Sequence, residues 1–443
     1  MTLQLSPALL HDPTTAADLA PARGDAADAP PPRALALADL PATRDALVAR
    51  FARTAARRDQ LGGTPKAERD ALRASGLLAL SIPEALGGLG ADWSVVLRTV
   101  REFARVDSSI AHLFAFHHLM LATVRLFGSR AQWEPWLRHT ARGDWFWGNA
   151  LNPLDPRATW RAVDGGIEIS GRKSFCSGAL DSEMLIVSAV GEDDGGRDAD
   201  GATVAPAALG SGAGAASLRI AAVPTARSGI RLNDDWHNIG QRQTDSGSVE
   251  FDRLRVEAHE LLLDPGPLAT PRASLRPLLA QAILANIYIG IAEGAVADAR
   301  DYTLREARPW PPSGLARVTD DPHVLVAFGD FHAGLEALRL LGDRAGAAID
   351  AALAQGEALD AAGRAEAALA IASAKVVATR TGLDICNRLF EVTGARSTHA
   401  GVGLDRHWRN LRTHTLHDPL HGKLRELGEW LLLGQTPVPG FYS

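Results

Sequence analysis

The feature that most constrains the fold of this 443-residue chain is a double change in hydrophobic periodicity. From about residue 42 to residue 137 apolar side chains recur at helical spacing, broken at Gly-rich turns such as Leu61-Gly62-Gly63 and Ala85-Leu86-Gly87-Gly88-Leu89-Gly90. Between about Trp145 and Leu263 the pattern becomes short alternating runs, among them Gly166-Ile167-Glu168-Ile169-Ser170 and Met184-Leu185-Ile186-Val187-Ser188. Such runs predict an antiparallel sheet or small barrel. Helical periodicity then returns from roughly Ser274 to Arg305, His323 to Gln355 and Ala361 to Thr393, long stretches with short joints that predict an antiparallel bundle. The order helix, sheet, helix implies an α+β architecture with a β domain inserted between two helical regions. The expected divisions are a disordered arm at 1–40, an N-terminal helical domain at 41–144, a central antiparallel β domain at 145–268 and a C-terminal helical bundle at 269–443. A Gly/Ala/Asp-rich flexible loop is expected at 191–216.

The first 40 residues carry His11, Asp12, Asp18, Asp25 and Asp28, where a secretory signal would need an unbroken apolar stretch and a transit peptide would avoid acids. No window reaches ~18 to 20 unbroken apolar residues, so no membrane partner is expected. A net charge of −6, with no Lys/Arg run, argues against nucleic acid. Two cysteines, Cys176 and Cys386, cannot form a disulfide scaffold or a zinc site alone, and a reducing cytoplasm is the simplest compartment.

Phosphate-loop, dinucleotide and zinc-protease motifs are missing, which leaves polar residues at the edges of predicted elements. Ser177 ends the turn-and-strand segment Gly171 to Gly178, where its hydroxyl could donate to a bound cofactor or simply satisfy backbone. His414, His417 and His421 have helical spacing, but Pro419 breaks the helix and disfavours a metal site. With Asp418 as the expected N-cap of a helix from Leu420 to Leu433, His417 falls on the loop before the cap, a place suited to an acid, base or donor. Trp236 lies within the polar loop Asn233 to Ser248, where an exposed indole is costly unless it stacks on a planar cofactor or on a helix of a neighbouring subunit. His112, His117 and His118 alternate with Phe114 and Phe116 and would suit the wall of an aromatic pocket.

Several of these segments, in this order, resemble the acyl-CoA dehydrogenase superfamily: Ala74-Ser75-Gly76-Leu77-Leu78, Ile82 to Gly88, the Trp236 to Ser248 loop, and Phe390 to Arg396. Within it the chain is more similar to the reduced-flavin-dependent monooxygenases of the dibenzothiophene-oxidising type. The residues that carry this are His112-Leu113-Phe114, Gly148-Asn149-Ala150, Phe175 to Gly178, Gln243 to Ser248, Ala307 to Trp310 and Arg412 to Pro419. The resemblance implies a helical domain, a β domain and a four-helix bundle around a flavin, usually in a homotetramer. It implies a two-component enzyme that takes FMNH2 from a separate NAD(P)H:flavin reductase, forms an oxygen adduct at flavin C4a and oxygenates a small hydrophobic, aromatic or organosulfur substrate with O2.

By position, the resemblance makes Ser177 and His417 the catalytic pair beside the oxygen adduct. Asn149 and Trp236 would contact the flavin, Arg308 and Arg396 its phosphate, and His112, Phe116, His117 and His414 the substrate. Phe116 departs from the Tyr of that enzyme type. The alternative is an FAD-dependent acyl-CoA dehydrogenase, which needs a carboxylate base near the C-terminal turn; Asp418-Pro419 stands in that place and is already assigned as a cap.

Overall fold

A computed structural model of the chain describes residues 35–192 and 217–443. The arm and loop expected at 1–40 and 191–216 lie almost wholly outside the described residues; of the arm, Leu37–Asp39 form a 3-10 turn leading into the first helix. Ahead of the sheet come α1 (Leu40–Ala52), α2 (Ala55–Leu61), α3 (Lys66–Ala74), α4 (Trp93–Val106), α5 (Ser108–Phe127) and α6 (Arg130–Gly143). The α4 stripe Trp93, Val96, Leu97, Val100 and Phe103 is buried at the i, i+3, i+4, i+7 spacing of an amphipathic helix. Asp107 caps α5 by accepting the Ser109 and Ile110 amides, and every α5 residue except Arg125 is buried.

The strands are β1 (Trp147–Ala150), β2 (Ala158–Val163), β3 (Gly166–Lys173), β4 (Met184–Gly191), β5 (Arg219–Pro224), β6 (Ile230–Leu232) and β7 (Val249–Glu257). They run in the order β1-β4-β2-β3-β7-β6, with β5 also on β4. The expectation of an antiparallel sheet needs correction: β1 and β2 both pair with β4 in parallel, whereas β2–β3, β3–β7, β4–β5 and β6–β7 are antiparallel. The β2–β3 hairpin lies in sequence between β1 and β4 and supplies the long crossover that parallel pairing requires. Ile169, Leu185, Val187, Val223 and Leu254 form the sheet's own core.

After the sheet come α7 (Leu275–Arg305), α8 (Pro322–Ala354), α9 (Ala361–Thr393), α10 (Asp405–His414) and α11 (Leu420–Leu433). The long helices start and stop within a residue or so of their expected limits. α5 and α7 are long and apolar enough to cross a membrane, yet 94% of each apolar window is buried within the protein, as central core helices must be. α4 and α7 pack backbone to backbone at Gly294, where an added Cβ would meet the Arg105 carbonyl at 2.1 Å.

Candidate active site

The helical domains and the sheet enclose a cavity of about 700 Å³, a size suited to a cofactor and a small substrate. His112, Phe116, Asn149, Ser177, Trp236, His414 and His417 all line it, although up to 305 positions separate them in sequence (417 − 112). His112 and Phe116 share one face of α5 at i, i+4 and stack at 3.9 Å between ring centroids.

His117 does not line the cavity, which corrects its assignment to the substrate. One residue further round the helix, it turns away: Nε2 donates to the Leu78 carbonyl at 2.8 Å and Nδ1 accepts the Trp147 amide at 3.2 Å. Both ring nitrogens are spent on holding β1 against the helices. Arg308 and Arg396 are exposed and are not among the residues that line the cavity.

Ser177 sits at the centre of a continuous hydrogen-bonded chain. Its Oγ lies 2.8 Å from His112 Nε2 and 2.7 Å from Ser246 Oγ; Ser246 Oγ is 2.7 Å from Thr244 Oγ1, and His112 Nδ1 is 3.0 Å from His414 Nε2. Thr244 donates to the Gln241 carbonyl at 3.0 Å, and from that end a single polarity gives each hydroxyl its own acceptor. Ser246 then donates to Thr244, Ser177 to Ser246, His112 Nε2–H to Ser177, and His414 Nε2–H to His112 Nδ1. His414 Nδ1, buried and without a protein partner, ends the chain as a bare acceptor. Burial keeps both rings neutral: it holds His112 well below the ordinary imidazole value and His414 down at about 3.

His417 contrasts with them. Its side chain is 36% exposed while Asp418, behind it, is buried, and Nδ1 lies 3.0 Å from Asp418 Oδ1. The expectation that Asp418 caps α11 is corrected, since no side-chain cap bond forms there and the carboxylate instead receives Lys375 Nζ and, at 3.4 Å, Gln281 Nε2. Burial would raise the Asp418 carboxyl, but His417 and Lys375 outweigh it and hold it well below the usual range. Because Nδ1 faces that carboxylate, the neutral His417 ring is the Nδ1–H tautomer, and Nε2 is the nitrogen left for a ligand.

Asn149 spends Oδ1 on the Leu151 amide at 3.1 Å, and no described residue partners its Nδ2. Trp236 spends its indole N–H on the Gln241 carbonyl at 2.7 Å and packs edge-on against Phe175, so its ring stays available for stacking. Phe175 is 60% exposed at φ 59°, a left-handed conformation that a bulky residue rarely adopts, two positions before Ser177. Sequence reasoning missed Arg69, whose buried guanidinium pairs with Asp245 at 2.7 Å and donates to the carbonyl of Gly178, next to Ser177. It also missed Gln281, Lys375, Arg276 and Tyr442. Their partners are so distant in sequence that no local spacing announces them.

The acyl-CoA dehydrogenase N-terminal domain matches residues 40–144 and the acyl-CoA dehydrogenase C-terminal domain matches residues 282–421. A probable FMNH2-dependent monooxygenase, SfnC, of Pseudomonas putida is 59% identical over 414 residues, spanning 94% of this chain and 98% of that protein. The chain belongs to the acyl-CoA dehydrogenase family. Within the family it falls among the FMNH2-dependent monooxygenases. A dibenzothiophene monooxygenase of Rhodococcus erythropolis is 40% identical over 93% of this chain and 97% of its own length.

Among solved structures, methanesulfinate monooxygenase MsuC of Pseudomonas fluorescens has a TM-score of 0.84 at 60% identity, covering 91% of this chain and 99% of that one. TdsC of Paenibacillus sp. A11-2, in complex with FMN and indole, has a TM-score of 0.82 at 37% identity, with the same coverage.

The residues present fit a reduced flavin. The cavity offers apolar walls, an indole face, an unspent amide donor on Asn149 and the His414–His112–Ser177 chain, and no carboxylate lines it. The dehydrogenase alternative lacks its base in the same geometry, because Asp418 is buried and fully engaged behind His417.

Proposed function

We propose that this monooxygenase uses FMNH2 from a separate NAD(P)H:flavin reductase to oxygenate the sulfur of a small organosulfur compound in this cavity. The observation that carries the reading is the pairing of a neutral, buried Ser177–His112–His414 chain with a partly exposed His417 backed by Asp418. Bound FMNH2 supplies the electron pair that activates dioxygen. Trp236 and Asn149 would orient the ring system, and Ser177 and His417 are the catalytic pair. Nε2 of protonated His417 holds a proton for the oxygen that leaves as water, and Asp418 stabilises that imidazolium through Nδ1. Phe116 and Leu119 present apolar surface to the substrate, while Phe441 and Tyr442 help to keep bulk water out.

The site works in a homotetramer in the cytoplasm. The exposed apolar run Trp430 to Leu433, 45% to 82% exposed, with Leu325, Val326 and Leu340, supplies surface for such an assembly. Arg308 and Arg396 would then serve the flavin phosphate across a subunit boundary. Incubating the protein with FMN, NADH, a flavin reductase and a panel of sulfides, sulfones and sulfinates should give one product heavier by a single oxygen atom. Hydrogen peroxide alone, with every member of the panel, would sink this function.

A further inference from the structure

The loop that carries Trp236 and Thr244 is tied to the helices at one residue. Gln241 is 1% exposed and holds φ at 53°, a left-handed conformation that a residue with a side chain rarely adopts. Its carbonyl accepts the Trp236 indole N–H at 2.7 Å and the Thr244 hydroxyl at 3.0 Å, so the indole and the start of the Ser177 chain share one oxygen. Its N–H donates to Asn410 Oδ1 at 2.6 Å, and its side-chain Nε2 donates to Ser108 Oγ at 3.0 Å and to the Asn410 carbonyl at 3.3 Å. Beside it Gly240 lies directly on α10, where an added Cβ would meet the Arg409 carbonyl at 2.1 Å.

Ser108 and Asn410 each stand one helical turn before a cavity histidine, Ser108 before His112 on α5 and Asn410 before His414 on α10. Gln241 therefore bridges the same two helices one turn away from the 3.0 Å contact between His414 Nε2 and His112 Nδ1. A left-handed residue with a side chain persists only where its surroundings over-determine it. Asn410, 7% exposed, supplies the side-chain acceptor that holds this one.

We propose that Asn410 is a positioning residue for oxygen transfer, fixing through Gln241 both the indole of Trp236 and the direction of the Ser177 hydrogen-bonded chain. The inference rests on the flavin-dependent oxygenation proposed above and adds to it a residue outside the cavity lining. Without the Asn410 acceptor the Gln241 backbone is free to relax to negative φ, which turns its carbonyl away from Trp236 and Thr244. Thr244 then has no fixed acceptor, and the chain can run in either direction. Reversed, His112 Nε2 accepts from Ser177, His112 Nδ1–H donates to His414, and His414 Nδ1 ends the chain as a donor in place of an acceptor. The site keeps its residues and loses its single proton arrangement.

The test compares wild type with Asn410→Leu, which is close in volume but accepts nothing, and Asn410→Asp, whose carboxylate still accepts the Gln241 amide. FMN affinity is measured by calorimetry. The division of consumed NADH between oxygenated product and hydrogen peroxide is measured at saturating FMN with a flavin reductase and the panel of sulfides, sulfones and sulfinates. Asn410→Leu should lower FMN affinity and the product-to-peroxide ratio each by roughly 2- to 10-fold, the range of one hydrogen bond, and Asn410→Asp should recover most of both. Double-mutant cycles separate positioning from general damage. In a Thr244→Val background, where the chain has lost its first donor, Asn410→Leu should change the product-to-peroxide ratio by less than about twofold. In a Trp236→Phe background it should cost less than about twofold in FMN affinity.

Additivity in either cycle overturns the assignment, because a residue that merely supports the fold adds its damage in every background. So does an Asn410→Leu protein that matches wild type in affinity and ratio, or an Asn410→Asp protein no better than Asn410→Leu. If Asn410→Leu fails to fold, Asn410→Ala, which removes the acceptor without filling its place, carries the same expectations. Failure of the function looks different: no variant yields product, yet FMN affinity still falls in Asn410→Leu and returns in Asn410→Asp.

Discussion

The buried neutral histidines predict an unusually steep loss of stability in mild acid. His112, His117, His118 and His414 are each at most 7% exposed, and burial pulls every one below the ordinary imidazole value, to about 3 for His117 and His414. The unfolded chain protonates these rings near pH 6.5, whereas the native state cannot until far lower. The unfolded state therefore binds more protons throughout this window, so the stability is whole above about pH 6.5 and drains as pH falls. One such histidine costs about a factor of ten in the folding constant per pH unit, and four together cost roughly 5 kcal/mol per unit.

Against a total stability of roughly 5 to 15 kcal/mol, unfolding should set in within one to three units below pH 6.5. Carboxylates held low, such as Asp418 and Asp298, add their own loss only below about pH 4, so the two windows separate. The assay is urea unfolding followed by circular dichroism at half-unit steps from pH 8 to pH 5.5. His117→Gln keeps a donor for the Leu78 carbonyl and an acceptor for the Trp147 amide, and should remove about a quarter of the slope. A wild-type slope no steeper than one histidine allows, or a His117→Gln slope equal to wild type, would refute the reasoning.

Other outcomes follow from single contacts. Asp418→Asn leaves the buried Lys375 ammonium without its acid and should destabilise by roughly 3 to 5 kcal/mol, measured by urea midpoint, while the double change with Lys375→Met should recover much of that. Ser177→Ala interrupts the chain between His112 and Ser246, and should divert consumed NADH from product to hydrogen peroxide with little change in FMN affinity. Burial pushes the Cys176 thiol up to about 12 and the Cys386 thiol higher still, so neither should react with a thiol reagent until the protein is unfolded.

How far the sequence revealed this site depended on the range of each interaction. Apolar periodicity is local, so the three long helices were placed to within a residue or so, and the loop position of His417 followed from Pro419 alone. Sheet direction is not local. The alternating runs that became β1 and β4 read the same whether they pair in parallel or not, and only the intervening hairpin decides. His117 shows the same limit on a finer scale: three histidines in seven positions looked like one wall, but a helix turns about 100° per residue and sends adjacent side chains to different faces. His112 went to the cavity, and His117 to the β1 backbone.

Charges were the least legible. Asp418 was plausible as a cap because the alternative depended on Lys375, 43 positions upstream, and on Gln281, 137 positions upstream. Lys375, given Asp418, serves to hold His417 where a proton is needed. A neutral residue can be as silent: Asn410 carried no signal at all, since an asparagine inside a helix is ordinary until the fold brings the Gln241 amide, 169 positions upstream, to its side chain.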